Sequence, residues 1–572
     1  MNKKVLIVGG VAGGASAAAR LRRLDENMDI IMFEKGMYIS FANCGLPYYI
    51  GEAIKERKNL LVQTAEAMKA RFNIDVRDLS EVIRIDRQRK VVEVKNIRDG
   101  STYEENYDVL VLSPGAAPVR PPIPGIDSPN IYTLRDIPDT DSIKGFLHEN
   151  KPQNAVVVGG GFIGLEMAEN LHKAGLKVDI VEALDQVMAP LDYEMAAIVH
   201  NHVRSKGCGL HLKDGVKAFE PEGNRTVVVL QSGRRISADM VILSIGVKPN
   251  NKLAKEAGLE VGITGGIKVN EYLQTSDPYI YALGDVIEVT DYISGSPALI
   301  PLAGPANKQG RIVANNIAGR REVYKGTQGT AIAKVFDMAA ASTGVNEKTL
   351  KKLGKKLGED YLTTITHSIS HADYYPGGGT MAIKLVYTLQ GRVLGAQIAG
   401  YNGVDKRIDD IAIAVRHRMT VHDLQEFELA YAPPFSSAKD PVNMAGYVGS
   451  NVLNGDVKVA YWYEAMNADI SETFILDVRE PSEYQQGHIP NAVNIPLEQL
   501  RSRLKEIPGD KDIIVNCRVG QRSYIGARIL MQNGFNNVRN LSGGYKTYSA
   551  VEEDMKNSYL EYNFHWQNNW QK

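Results

Sequence analysis

Cysteine is almost absent from this chain. Cys44, Cys208 and Cys517 are the only three in 572 residues. So few, so far apart, exclude a disulfide framework and a cysteine-rich zinc site, and no metal is expected; they point to a reducing, cytoplasmic setting. No apolar run approaches the ~20 residues of a membrane-spanning helix, so no membrane partner is expected. The net charge is −1, which leaves no overall field to recruit nucleic acid. The apolar start Val5–Val8 lacks a small-residue cleavage site and runs straight into glycines, against a signal peptide. Glycine is plentiful instead. Its 53 residues gather in short motifs, within a globular composition that is 44% hydrophobic and 23% charged. The length exceeds what one core supports, so about three to four domains are expected.

The first glycine motif follows a β-branched apolar run, Lys4–Val8, read as a buried parallel strand. Gly9-Gly10-Val11-Ala12-Gly13-Gly14 comes next, then a helix over 15–24 and a second strand, Ile30–Phe33, ending in Glu34. Glu34 lies 20 residues past Gly14, where a carboxylate meets a ribose hydroxyl of a dinucleotide. Val11 departs from the usual middle glycine. The pattern recurs with strand Ala155–Val158, Gly159-Gly160-Gly161-Phe162-Ile163-Gly164, a helix to about Ala174, and strand Val178–Val181 ending in Glu182. Glu182 is 18 residues past Gly164 and no arginine follows it, which predicts NADH over NADPH. Two such units imply two dinucleotides. Short strands ending in glycine turns lie between and after them: Asp108–Leu112 into Ser113-Pro114-Gly115, Val241–Gly246, and Ile280–Ala282 into Leu283-Gly284-Asp285.

These ordered motifs resemble the pyridine nucleotide–disulfide oxidoreductases, FAD enzymes that take a hydride from NAD(P)H. The resemblance covers about 1–445. It implies an α/β fold with two interleaved Rossmann-like domains, FAD-binding over 1–120 and 245–320 and NADH-binding over 121–244, followed by an α+β dimerisation domain over 325–445 and a homodimer. It assigns Gly9, Gly10, Val11, Ala12, Gly14, Glu34, Lys35, Ser113, Pro114, Gly115, Gly284 and Asp285 to the cofactor sites. Gly159, Gly161, Phe162, Ile163, Gly164, Glu182, Gly246, Pro301 and Ala303 complete that set.

Ser40-Phe41-Ala42-Asn43-Cys44-Gly45-Leu46-Pro47 is the stretch on which the chemistry turns. Gly45 permits a turn and Pro47 suits the start of a helix, so Cys44 is expected beside a helix N-terminus that favours a thiolate. Taken alone, the stretch fits a reactive cysteine and a small gap-filling residue equally. Most disulfide reductases of the family carry a second cysteine a few residues earlier; here positions 39 and 40 are Ile and Ser. The redox partner of Cys44 must then come from outside, as a mixed disulfide, a persulfide or a sulfenic acid. The motif resembles the single-cysteine branch: coenzyme A-disulfide reductases and NADH-dependent persulfide or polysulfide reductases. NADH oxidases and peroxidases share that branch, but they usually carry a histidine near where this chain has Ala12.

The same resemblance puts Ser40 and Asn43 beside Cys44. It implies tyrosines donated by the partner subunit: Tyr431, and one of Tyr374 and Tyr375, with Tyr375 assigned here. A phenol there would protonate a leaving thiolate, or simply pack at the interface. Arg20, Arg23, Lys69 and Arg71, with Ser40 and Asn43, are expected to meet coenzyme A; a solvated charged face is the alternative for the four cations. His367, His371 and Cys208 read as structural.

Past a linker at 446–456 the style changes. Strand Phe474–Val478, the Gly487-His488-Ile489-Pro490-Asn491-Ala492 box and strand Ile513–Asn516 lead to Cys517-Arg518-Val519-Gly520-Gln521-Arg522-Ser523 and a helix. A cysteine in such a turn faces backbone N–H groups and two arginines, a cradle for a thiolate or persulfide anion. With Asp477 and Arg479, this resembles a rhodanese domain over 457–572. The combined expectation is an FAD-dependent enzyme that uses NADH to reduce coenzyme A disulfide, coenzyme A persulfide or polysulfide at Cys44, with Cys517 handling sulfane sulfur. The alternatives are an NADH oxidase or peroxidase with a Cys44 sulfenic acid, and a sulfur carrier or redox sensor.

Overall fold

The computed structural model describes residues 3–562, so the last ten residues of the expected rhodanese range lie outside it. The chain forms two compact units, one from Met1–Ala183 with Asp214–Gly329, the other from Leu184–Lys213 with Thr330 onward.

The first unit is built on two parallel sheets. In one, the strands run in the order Ile280–Ala282, Val109–Leu112, Lys4–Val8, Asp29–Phe33, Asp75–Arg77. Its central strands are apolar on both faces, with Val5, Leu6, Leu110 and Val111 completely buried, and share one core with helices Ala12–Leu24 and Ala303–Ile317 and with the antiparallel strands Ser80–Asp86 and Val91–Asn96. Helix Ala12–Leu24 crosses helix Ala303–Ile317 at Gly310, where an added Cβ would sit 2.5 Å from the Gly13 carbonyl oxygen. In the other sheet, Lys177–Val181, Asn154–Val158, Met240–Leu243 and Ile131–Thr133 lie side by side in parallel. The two halves of the first sheet come from either side of the inserted second one, as the interleaved motifs require.

In the second unit, an antiparallel sheet runs Ala331–Val335, Met338–Gly344, Val393–Gly400, Thr380–Thr388, Tyr361–Ile369. A parallel sheet runs Lys458–Ala460, Val538–Leu541, Asp512–Asn516, Thr473–Asp477, Val493–Asn494. Two departures from the sequence reading occur here. Residues 446–453, expected as linker, are the second half of helix Pro441–Leu453. Its glycines serve close packing, not flexibility: a Cβ on Gly446 would lie 2.7 Å from the Gln425 backbone nitrogen, and one on Gly449 3.0 Å from Val421. Helix Tyr193–Ser205, counted with the NADH-binding range, is grouped with the second unit. The reason is a pair of buried polar anchors. Lys384, fully buried, meets Asp192 at 2.9 Å and Glu194 and Glu347 at 2.5 Å. Asp554, also buried, accepts from Tyr193 Oη at 2.8 Å and His200 Nδ1 at 2.9 Å and pairs with Arg204. Because His200 Nε2 accepts from the Val187 N–H at 3.1 Å, the ring proton sits on Nδ1. No helix of the described residues is long and apolar enough to cross a membrane.

Candidate functional site

The two glycine turns of the first unit share one geometry. Gly9 has φ +100°, and a Cβ there would meet the Ser113 carbonyl oxygen at 2.1 Å; Gly159 has φ +108° and would meet the Ser244 oxygen at 2.4 Å. A Cβ on Gly14 or Gly164 would fall 1.9 Å from the carbonyl oxygen five residues earlier. Only glycine fits these four positions, and the tight turn leaves helix N–H groups uncovered for phosphate. Glu34 Oε2 accepts from Gly10 N at 2.9 Å, and Glu182 Oε2 from Gly160 N at 2.7 Å. Each carboxylate is thereby aimed across the mouth of its own turn, as a ribose-binding group must be. Val11, the departure from the fingerprint, is the N-cap of helix Ala12–Leu24 and leaves the turn intact.

Ser113 and Pro114 close the first turn from the neighbouring strand, with Asn250 Nδ2 donating to the Pro114 oxygen at 2.8 Å. Gly246 takes φ +108° and accepts from Val119 N at 2.9 Å. Asp285 lies in the 3-10 turn Gly284–Val286, and burial raises its carboxyl above the ordinary range. Lys35 and Pro301 are exposed, and Ala303 opens helix Ala303–Ile317. The residues present thus fit two dinucleotides, one at each turn.

Cys44 stands in the 3-10 turn Asn43–Gly45, ahead of the short helix Leu46–Ile50 with Pro47 in its first turn. Ser40 is held at φ +43° while its N–H donates to the Gly10 oxygen at 2.9 Å, which ties the cysteine stretch to the first glycine turn. Cys44 and Asn43 are exposed. The expected thiolate-favouring field is outweighed. A backbone N–H pulls the Cys44 pKa down, but partial enclosure of the sulfur raises it, and the Glu166 and Asp285 carboxylates raise it further. Glu166 was not singled out in the sequence. It lies on helix Phe162–Lys173, accepts from Tyr48 Oη at 3.3 Å, and is pushed up to about 7, chiefly by burial with Glu169 adding. Its signal was its place two residues past the second glycine turn.

Among the cations, Arg20 and Arg23 share one helix face, and the sequence did not anticipate their neighbours. Partial burial, then Arg311, Arg320 and Arg23, hold the Arg20 pKa below its ordinary value. Arg20 Nε donates to Asn315 Oδ1 at 3.1 Å, and Arg23 stands 5.9 Å from the centroid of Phe72. Phe72 ends helix Ala65–Phe72, which carries Lys69 and Arg71; Lys69 Nζ donates to Asn73 at 2.9 Å. Ser16 is hydrogen-bonded to Asn307. In the second unit, Tyr431 Oη lies 2.9 Å from Tyr374 Oη, both rings exposed, whereas Tyr375 packs edge-on against His371. The hydroxyl pair is therefore 374 with 431, not 375 with 431. His367 and His371 are hydrogen-bonded within the fold, to Thr547 and Ser370, and Cys208 is buried.

Cys517 ends strand Asp512–Asn516 and is 1% exposed. Its Sγ accepts from Gly520 N at 3.2 Å and from Ser523 Oγ at 3.4 Å, while Gly520 turns through φ +102° into helix Gln521–Gln532. Val519 lies in this loop beneath Gly544, whose added Cβ would sit 2.9 Å from the Val519 and Gly520 nitrogens and 2.5 Å from the Cys517 oxygen. Arg522 does not stand free beside the sulfur. It makes a two-pronged pair with Glu483 at 2.7 and 2.8 Å. Asp477 and Arg479 pair at 2.6 Å; Arg479 also donates to the Gly487 oxygen and lies 4.3 Å from the Tyr545 ring centroid. The histidine box is thus scaffold: His488 stacks on Tyr484.

Residues 3–310 match the family model described as pyridine nucleotide-disulphide oxidoreductase. The chain belongs to that family. Residues 330–441 match its dimerisation domain, and 459–551 match a rhodanese-like domain. A coenzyme A disulfide reductase of Staphylococcus aureus is 39% identical over 78% of this chain and 99% of its own length. The solved structure of reduced Bacillus anthracis CoADR-RHD is 52% identical, with a TM-score of 0.94 over 97% of this chain and 99% of that one. A NAD-dependent persulfide reductase from A. fulgidus is 40% identical, with a TM-score of 0.89 over 95% and 100%. This oxidoreductase therefore carries the whole expected domain series.

Proposed function

We propose that this oxidoreductase uses NADH to reduce the sulfur–sulfur bond of coenzyme A disulfide, coenzyme A persulfide or polysulfide, through Cys44. The observation that carries the reading is the solitude of Cys44, an exposed thiol tied to the first glycine turn with no second cysteine nearby. Similarity to a coenzyme A disulfide reductase and a persulfide reductase supports it. Bound FAD supplies the two-electron relay from nicotinamide to sulfur.

The chain's own groups do the rest. Glu34 would hold one adenosine ribose; Glu182 would hold the other and repel a 2′-phosphate, favouring NADH over NADPH. The Cys44 thiolate attacks a substrate sulfur, the S–S bond breaks, and the departing thiolate takes a proton. Cys44 is left in a mixed disulfide with coenzyme A or as a persulfide. Two electrons and one proton then release the second thiol, or hydrosulfide, and restore the thiolate. Arg20, Arg23, Arg311 and Arg320 are a cationic face suited to the phosphates of coenzyme A. The paired hydroxyls of Tyr374 and Tyr431 suit proton donation to the leaving sulfur, in a homodimer where the partner subunit presents them. Cys517 carries sulfane sulfur as a persulfide, its anion held by Gly520 N–H and the Ser523 hydroxyl. Coenzyme A persulfide would shuttle between the two cysteines. Three cysteines so few and so far apart in sequence support a reducing, cytoplasmic location.

Steady-state NADH consumption tests this. Turnover with coenzyme A disulfide or polysulfide that disappears in Cys44→Ser supports it. Turnover that survives the substitution, or that oxygen alone sustains, refutes it.

A further inference from the structure

Little holds the Tyr374–Tyr431 pair directly. The two residues are 72% and 49% exposed, and among the described residues neither hydroxyl has a hydrogen-bond partner besides the other. Their spacing is therefore inherited from the two loops that carry them. Tyr374 stands in the loop between strands Tyr361–Ile369 and Thr380–Thr388. Ser370 closes that loop: its N–H donates to the Gly379 oxygen at 2.8 Å, and its Oγ accepts from Gly379 N at 3.1 Å. His371 braces the inside. The Pro376 oxygen, 3.3 Å from His371 Nε2, can only accept, so the ring proton is on Nε2 and Nδ1 accepts from the Ser370 hydroxyl at 3.1 Å. Tyr431 precedes a turn in which Phe435 N and Ser436 N donate to the Ala432 oxygen at 2.9 and 3.1 Å. Both loops meet one side chain. Arg407, on helix Val404–Arg416, is 1% exposed. Its Nη2 donates to the Ser370 oxygen at 2.8 Å on the first loop and to Ser436 Oγ at 3.1 Å on the second. Asp440 Oδ2 accepts from the same Nη2 at 2.8 Å and from Ser436 Oγ at 2.6 Å, and Nε donates to Asp440 Oδ1 at 3.3 Å. Asp440 is 2% exposed and N-caps helix Pro441–Leu453. Gly403 makes room for the guanidinium: it sits at φ +68°, and a Cβ there would lie 2.1 Å from Arg407 Nη1. A planar fork serves a carbonyl on one loop and a carboxylate behind the other at once, which a lysine ammonium does not.

We propose that Arg407 is the positioning residue of the tyrosine pair: by joining the loop of Tyr374 to that of Tyr431, it sets the separation at which the two hydroxyls meet and hand a proton to the leaving sulfur. The inference rests on the reading of that pair as the proton donor. When the Cys44 thiolate attacks one sulfur of a disulfide, the S–S bond breaks and its electron pair leaves on the other sulfur. That sulfur takes the phenol proton, and the phenolate recovers a proton from water. A proton delivered this way matters in proportion to the basicity of the leaving thiolate. Coenzyme A leaves as a basic alkyl thiolate and gains from it. A nitrobenzoate thiolate is stable without it. Arg407, buried behind the loops, acts only through the tyrosines.

The test follows release of the first thiol in a single turnover of the NADH-reduced, FAD-loaded full-length protein, with coenzyme A disulfide and with dithiobis(nitrobenzoate). Tyr374→Phe combined with Tyr431→Phe is expected to slow release from coenzyme A disulfide about a hundredfold, and from the aromatic disulfide less than about twofold. Arg407→Lys, which keeps a charge for Asp440 and loses the fork, should repeat that pattern at about tenfold, in the maximal rate rather than in half-saturation. Ser436→Ala should repeat it at about threefold. It leaves the Arg407–Asp440 pair intact, so it carries the test should Arg407→Lys not fold. Added to the double tyrosine variant, Arg407→Lys should cost less than about twofold more, because what it positions is gone. An unchanged coenzyme A disulfide rate in the folded variants, an equal loss with both disulfides, or full additivity overturns the positioning role. If the double tyrosine variant keeps the unsubstituted rate, the proton-donor reading itself fails, and the role of Arg407 with it.

Discussion

Cys44 and Cys517 are both turn cysteines, yet the protein treats them in opposite ways. Cys44 is exposed on a 3-10 turn, its thiol pKa raised by partial enclosure of the sulfur and then by two carboxylates, Glu166 and Asp285. Cys517 is buried at a strand end, and its sulfur takes hydrogen bonds from Gly520 and Ser523. The first arrangement leaves a sulfur open to a bulky substrate and dependent on what binds next to it. The second stabilises a small anion in advance, whatever else is bound. The exchange role proposed for Cys44 and the storage role proposed for Cys517 need that difference.

The largest effect that would break the comparison is at Cys44 itself. Cys44→Ser should reduce NADH-driven sulfur reduction by about a thousandfold or more while Cys517 still accepts sulfur; the check is NADH consumption beside cyanolysis. Next is the cradle. Gly544→Ala places a methyl 2.5 Å from the Cys517 oxygen at φ +60°, and persulfide formation should fall roughly tenfold, read by intact mass. A smaller loss, about fivefold, is expected for Ser523→Ala, which removes one hydrogen bond to the sulfur. Smallest is Glu166→Gln. Because a nearby carboxylate disfavours the thiolate, its removal should lower the Cys44 pKa and move Cys44 alkylation to lower pH, while persulfide loading of Cys517 is unchanged.

Much of this was legible in the sequence because the motifs obey hard constraints. Gly9, Gly14, Gly159 and Gly164 admit no side chain, and Glu34 and Glu182 fall at the one spacing that returns a strand end to its turn. Where pattern has two physical causes, it misled. Gly446 and Gly449 could mark a flexible linker or a helix packed tightly on its neighbour, and the second holds. A cysteine before Gly-Leu-Pro signals a helix N-terminus, but enclosure of the sulfur outweighs it, helped by carboxylates 122 and 241 residues further on, Glu166 and Asp285. Arg522 does feel the Cys517 sulfur, but its stronger pairing with Glu483 depends on packing that no local pattern records. Of the adjacent tyrosines 374 and 375, only the fold decides which hydroxyl meets Tyr431.

The central claim is that Cys44 takes sulfur rather than oxygen. Stopped-flow mixing of the NADH-reduced, FAD-loaded protein with coenzyme A persulfide, coenzyme A disulfide, polysulfide, dioxygen and hydrogen peroxide measures it directly. The account predicts that at least one sulfur substrate reoxidises the flavin faster than either oxygen species, and that Cys44→Ser removes this advantage. Reoxidation by dioxygen or peroxide faster than by all three sulfur substrates would contradict it.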